Sequence, residues 1–187
     1  MATTLFQPPI PGAALRQTVR ESLAAWIRLA KIPGVTRVYS HWPAAGIRWD
    51  EWPGAGSGFA AQVWLRAGDD TESIMALTGG VDRGGNQIHV PVDIVLAHQT
   101  YSLDDAAESP ASENDRDRIY DALKDCFRGV GRSAGRPDVF SSVGFWPRES
   151  AMRGTHAEPF IVGESVCRVS TLSLTASAYL PQNPPGA

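Results

Sequence analysis

The chain has 187 residues, 43% of them hydrophobic and 20% charged, which excludes wholesale disorder and suffices for one domain with a real core, without metals or disulfides. Its formal charge of −3 leaves no dominant basic field to hold nucleic acid or an anionic membrane. Cys126 and Cys167 are too few for a disulfide framework and read as buried free thiols of a reducing compartment; no apolar run approaches the ~18 residues of a membrane span, and Met1–Pro11 lacks the basic-then-apolar pattern of a secretory leader.

Residues 1–13 hold three prolines and no periodicity, and read as an extended N-terminal arm. A helix is expected from near Leu15. Leu15, Val19, Leu23, Trp26, Ile27 and Ala30 fall at steps of three and four on one face, and Pro33-Gly34 stops it. A short strand, Val35–His41, follows. Residues 42–58 (WPAAGIRWDEWPGAGSG) hold too much glycine and proline for a helix or a central strand and read as a long loop. Strands are predicted at Phe59–Arg66, Ser73–Gly79 and Gln87–Thr100. In the third, Ile88, Val90, Val92, Ile94 and Leu96 alternate with His89, Pro91, Asp93, Val95 and Ala97, the period of a half-buried strand. The segment Gly79–Asn86 suits a hairpin turn, and Pro91, which cannot donate to a ladder, marks an edge or a bulge.

An acidic loop at 102–112 leads to a second helix over about Glu113–Gly129. Ile119, Leu123, Cys126 and Phe127 form its inner face, and Asp115, Asp117, Arg118, Asp121 and Lys124 its wet side. Residues 130–158 read as a second long Gly/Pro-bearing loop, with a short strand at Val139–Phe145. A hairpin then closes the chain, with arms Pro159–Val162 and Val166–Leu180 and a turn near Gly163-Glu164. Leu172, Leu174, Ala176, Ala178 and Leu180 share one face of the long arm; Thr171, Ser173, Thr175 and Ser177 share the other. Residues 181–187 read as a loose tail. Strands dominate and the two helices do not alternate with them. The order argues for a single α+β domain over 14–180: an antiparallel or mixed sheet, two helices packed against it, and long loops at 42–58 and 130–158.

No catalytic signature stands out. GAGSG (Gly54–Gly58) lacks both the third glycine of a dinucleotide fingerprint and the Lys-Ser/Thr of a phosphate loop. No nucleophile elbow surrounds Ser57, and His41, His89, His98 and His156 show no metal-ligand spacing. Cys126 sits on an apolar helix face, where a thiol packs rather than reacts. The carboxylates from Asp104 to Asp121 suit a polar loop and the first turns of a helix, where the dipole favours them. The expectation is a protein with no catalytic residues, no metal and no cofactor.

The aromatic loops are the exception to this blandness. Trp42, Trp49 and Trp52, with Ile47 and Arg48, would expose much apolar area if 42–58 stood free in water. Three readings are open: a satellite core, a contact surface for a subunit or partner, and a platform for sugar rings. Phe145 and Trp146 beside Arg148 repeat the theme in the second loop. The candidate subunit or partner interface is therefore Trp42, Arg48, Trp49, Trp52, Phe145, Trp146 and Arg148.

Several features together resemble a known family. They are an amphipathic opening helix (Leu15, Arg16, Val19, Leu23), a short strand ending at Tyr39 and Trp42, and a long hairpin strand (Ile88 to Leu96). A helix with Ile119, Tyr120 and Leu123 follows, then a closing strand of alternating Ser/Thr and Leu from Val169 to Tyr179. This order, over about residues 14–180, resembles the tail terminator proteins of long-tailed bacteriophages. The resemblance implies an α+β subunit of a homo-oligomer, a hexameric ring at the head-proximal end of the tail tube. The ring stops polymerisation, meets the tail tube protein and the head–tail connector or stopper, and lets DNA pass without specific binding. It implies a virion protein assembled in the host cytoplasm, not an enzyme and not membrane-bound. Another neck or minor tail protein, or a carbohydrate-binding module, is the alternative. In a ring, Asp104, Asp105 and Glu108 form a candidate acidic lumen or loop that repels passing DNA.

Overall fold

The structure, a computed structural model, describes residues 15–44, 46, 47, 49, 59–68, 71–75, 85–101, 111–128, 145–163 and 165–181. The expected N-terminal arm, Arg48, Trp52, most of the 79–86 turn, Asp104, Asp105, Glu108, nearly all of the strand expected at Val139–Phe145, and the tail beyond Pro181 lie outside the described residues.

Helix α1 spans Leu15–Ala30. Val19, Leu23 and Ile27 are buried along its inner stripe, and Trp26 packs against the same core. Ala30, expected on that stripe, is exposed. The helix ends there because Lys31 turns into the left-handed region (φ 47°), and Pro33 pushes the residue before it out of helical conformation. Among the described residues seven strands follow around one further helix: β1 (Val35–Tyr39), β2 (Phe59–Ala67), β3 (Thr71–Met75), β4 (Gly85–Tyr101), α2 (Ala111–Asp125), β5 (Phe145–His156), β6 (Phe160–Val162) and β7 (Ser165–Pro181). They form one open mixed sheet in the order β1-β2-β4-β7-β5, so the fold is α+β as the sequence predicts. Among the described strands only β1–β2 is parallel.

The spine is the antiparallel pair β4–β7, in register from Gly85–Pro181 to Tyr101–Ser165. Each spine strand is flanked by two successive segments. β2 and β3 run along β4, and β5 and β6 run along β7. Pro91 sits where β2 gives way to β3. Ala67 faces Val92 and Thr71 faces His89, so the flanking chain gains a residue there. The Pro91 carbonyl accepts the Gly68 N–H at 2.8 Å. The N–H that proline lacks would point to the same side, into the irregularity, so a central strand tolerates it. Of the edge and the bulge expected for Pro91, it is the bulge.

Both helices cover one face of the sheet. The core joins Val19, Leu23 and Ile27 of α1 to Val63 and Leu65 of β2 and to Ile94 and Leu96 of β4. Ile119, Leu123 and Phe127 of the α2 segment and Leu172 and Leu174 of β7 complete it. Each such side chain contributes about 1.5–3 kcal/mol when fully buried. The Trp26 indole N–H donates to the Cys126 carbonyl at 2.7 Å and ties the two helices together. Both cysteines are free thiols, and burial pushes Cys167 up to about 11.

Two expectations need correction. Residues 130–158 are not one long loop, because the 12-residue strand β5 occupies 145–156. Its pattern is concealed by Pro147, by Gly154 and by a register shift between Arg148 and Arg153. β4 is also not simply half-buried: over its second half Val95, Ala97 and Gln99 are buried as well as Ile94, Leu96 and His98, because chain covers the sheet's other face there.

Gly154 shows why β5 is hard to read. It pairs with Leu172 on the helix-covered face, and a Cβ there would overlap the Tyr120 hydroxyl oxygen. The phenol of α2 lies on the bare backbone. The Tyr120 hydroxyl is itself buried, without a hydrogen-bond partner among the described residues, so its removal costs little. Gly154→Ala is expected to destabilise the fold by about 1–3 kcal/mol through overpacking. Adding Tyr120→Phe should recover most of that loss in urea denaturation; failure to recover it would show that the contact is not what excludes a side chain at 154.

Candidate functional site

The face of the sheet away from the helices carries an aromatic row. Tyr39 and Trp64 are parallel ladder partners, so their side chains project together, and their rings stack at 3.8 Å and 10°. Trp64 in turn pairs with Val95 of β4, and His41 meets both aromatic rings edge-on. Ile47 and Trp49 fold back onto Trp64, Val95 and Ala97 as a second small core. Trp49 then meets Phe160 of β6 edge-to-face at 5.3 Å. The segment after β1 is thus a strap that crosses the sheet from the β1 edge to β6. Beside it lies a polar belt: Arg66 pairs with Asp93 at 2.7 Å, and the Ser173 hydroxyl donates to the same carboxylate at 2.7 Å.

Of the predicted interface residues, Trp42 and Trp49 come together on this face, with different exposures. Trp49 is half-buried in the strap. Trp42 stays 37% exposed, with the Arg66 guanidinium 6.0 Å from its ring centre. Phe145, Trp146 and Arg148 lie elsewhere. Arg148 pairs with Thr175 of β7, whereas Phe160 pairs with Cys167. Those positions are about 26 Å apart along the strand at its usual rise, so the predicted interface is two patches rather than one. Phe160, 39% exposed, extends the aromatic patch, whereas its neighbour Ile161, 63% exposed, alternates to the other face of β6; both went unselected in the sequence. Their signal was an apolar pair beside a turn. Trp64 was equally legible, as a large aromatic on the polar parity of β2.

A second surface feature lies at the β1 edge. A groove of about 550 Å³ runs between the end of α1 and β1. Ile27, Ile32, Val35 and Val38 give it an apolar floor, and Arg28, Lys31 and Arg37 a basic rim. The Arg28 guanidinium donates to the Val38 carbonyl at 2.6 Å and 3.2 Å, and Arg37 donates to the Tyr39 hydroxyl at 3.1 Å.

Beneath α2 the core turns polar. Arg116 is 7% exposed and is held by Asp117 at 2.6 Å and Glu113 at 3.2 Å. Ser170 meets His156 Nδ1 at 2.8 Å. His98, between Ala61 and Arg168 in the ladders, is fully buried. Burial pushes it from 6.5 down to about 4; Asp115 opposes the shift, and Arg168 and Arg116 add to it. Among the described residues no group of three or more His, Cys, Asp or Glu could hold a metal ion, and no helix is long and apolar enough to cross a membrane. A scan against family models gives no match to this chain, and a search of curated proteins gives none either.

Two outcomes follow from these environments. Trp49→Ala should cost about 1–3 kcal/mol of stability, reflecting partial burial plus one aromatic pair, whereas Trp42→Ala should leave monomer stability within about 0.5 kcal/mol. Paired thermal melts check this, and equal losses would contradict the strap. For His98 the folded state stays neutral while the unfolded chain protonates near pH 6.5. Its contribution is therefore complete above pH 6.5 and is lost as pH falls to about 4, a loss of about 3 kcal/mol. Denaturation midpoints should fall this way between pH 7 and 4 in the native chain and fall less in His98→Gln.

Proposed function

We propose that this chain is a structural virion protein: a tail terminator that forms a ring on the head-proximal end of a phage tail tube, stops its polymerisation and joins it to the head connector. One observation carries the reading. The order behind the resemblance (opening helix, short strand, long hairpin, helix, long closing strand) is the order α1, β1, β2–β4, α2, β5–β7 of the folded chain. The build also suits a ring subunit. A ring needs two different, complementary patches for head-to-tail closure, and the open sheet has β1 at one end of its order and β5 at the other. The exposed Trp42, Phe160 and Ile161 supply apolar contact area of the kind interfaces use. The partners are further copies of the chain, the tail tube protein and the connector or stopper, with DNA passing through unread.

Native mass by light scattering, with and without purified tail tubes, tests the reading. A species near six times the 20.1 kDa chain mass, together with caps on tube ends in electron micrographs, is the expected result. A chain that binds connectors but ignores tube ends would be a different neck protein. A strict monomer that ignores both, and is retained on a glycan array through Trp42, would remove the reading altogether.

A further inference from the structure

Charge is distributed unevenly along the fold. Residues 15–39, which build α1 and β1, carry five bases and one acid, net +4; residues 101–128, which end in α2, carry eight acids and four bases, net −4. The two helices of these blocks sit on different flanks. α1 packs on β1, β2 and β4, and α2 packs on β4 and β7.

The basic block has a receiving shape, the groove of about 550 Å³ between α1 and β1. Its rim cations Arg28 and Arg37 bond to a carbonyl and a phenol rather than to carboxylates. Lys31 holds the left-handed conformation (φ 47°) directly after the helix, a position where a side chain strains the backbone and glycine is the usual solution. On the acidic side, the α2 carboxylates already have partners: Glu113 and Asp117 hold Arg116, and Asp115 holds Arg118. The remaining concentration of acid in that block is Asp104, Asp105 and Glu108, in the interval between β4 and α2.

We propose that the α1–β1 groove is the receiving half of a head-to-tail contact between copies of this chain, and that its occupant is the acidic 101–128 block of the neighbouring copy. The proposal rests on the ring reading for its second copy and deepens it by naming the two faces that meet. Unlike charges on two separate segments give a heterologous contact, the kind that makes a ring where its rotation closes. They also set its register and make it weaken with salt.

The test is a charge swap read by sedimentation at low salt. Arg28→Glu/Lys31→Glu/Arg37→Glu should reduce the assembled species to the 20.1 kDa monomer, and so should Asp104→Lys/Asp105→Lys/Glu108→Lys. An equimolar mixture should restore the wild-type mass, because glutamate rims then meet lysine segments at alternate contacts. Lys31→Gly controls for folding: it should raise the thermal midpoint by relieving the backbone while weakening association at least about tenfold. A wild-type chain that stays monomeric with and without tail tubes overturns the proposal. So do reversal variants that assemble normally, and a mixture that stays monomeric. Retention of a short DNA duplex that is lost in the groove variant, with native mass unchanged, overturns it in favour of an anionic ligand. A ring that forms by this contact but ignores tube ends leaves the proposal standing and removes only the terminator reading.

Discussion

The pairing of β4 with β7 governs the rest of the structure. Two strands of 17 residues each pair without a register break. With a side-chain period of two, that single register decides which face every residue of the spine occupies. Val90, Val92, Ile94 and Leu96 then fall beside Ala176, Leu174, Leu172 and Ser170, and the two helices close over that face. The flanking segments need no such length. β2–β3 and β5–β6 are each interrupted, the first beside Pro91 of the spine and the second at the turn out of β5, where the Ala157 N–H donates to the Val169 carbonyl.

The two faces of the sheet are finished by different physics. The helix face is sealed by amphipathic stripes and by a tyrosine laid on a glycine. Among the described residues the other face is sealed along the row Tyr39–Trp64–Val95, by a strap that supplies Ile47 and Trp49. Past that row the face is held by the Arg66–Asp93–Ser173 belt and half-buried threonines. Such belts contribute little stability where exposed, so the strap is what covers Val95 and Ala97 of β4.

Element type was legible wherever a period ran uninterrupted: α1, β4, α2 and β7 all appear close to their expected bounds. The parity of Thr171, Ser173 and Thr175 against Leu172, Leu174 and Ala176 was legible too. What escaped was set by contacts distant in sequence. β5 reads as loop because Gly154 answers Tyr120, and neither residue announces the other. The burial of Val95 and Ala97 depends on a strap that no local pattern ties to β4. For the candidate site, composition found Trp42 and Trp49 but could not know that Phe145–Arg148 lie far along β7. The Lys31 conformation depends on the meeting of a helix end with Pro33, and so does the groove rim.

That rim also bears on how copies of the chain can associate. An exposed, short edge strand invites strand addition, and proteins blunt such edges with charged side chains. Arg28 does this at β1 by occupying the Val38 carbonyl with its guanidinium. The edge that blocks backbone pairing is therefore the same edge that presents cations over an apolar floor. Backbone pairing is indifferent to partner sequence and does not close on its own, whereas side-chain charges discriminate among partners and fix orientation. A subunit that must make a finite ring instead of an open ribbon is better served by the second kind of contact. The Arg28 bond to β1 is consistent with a fold that suppresses the first kind.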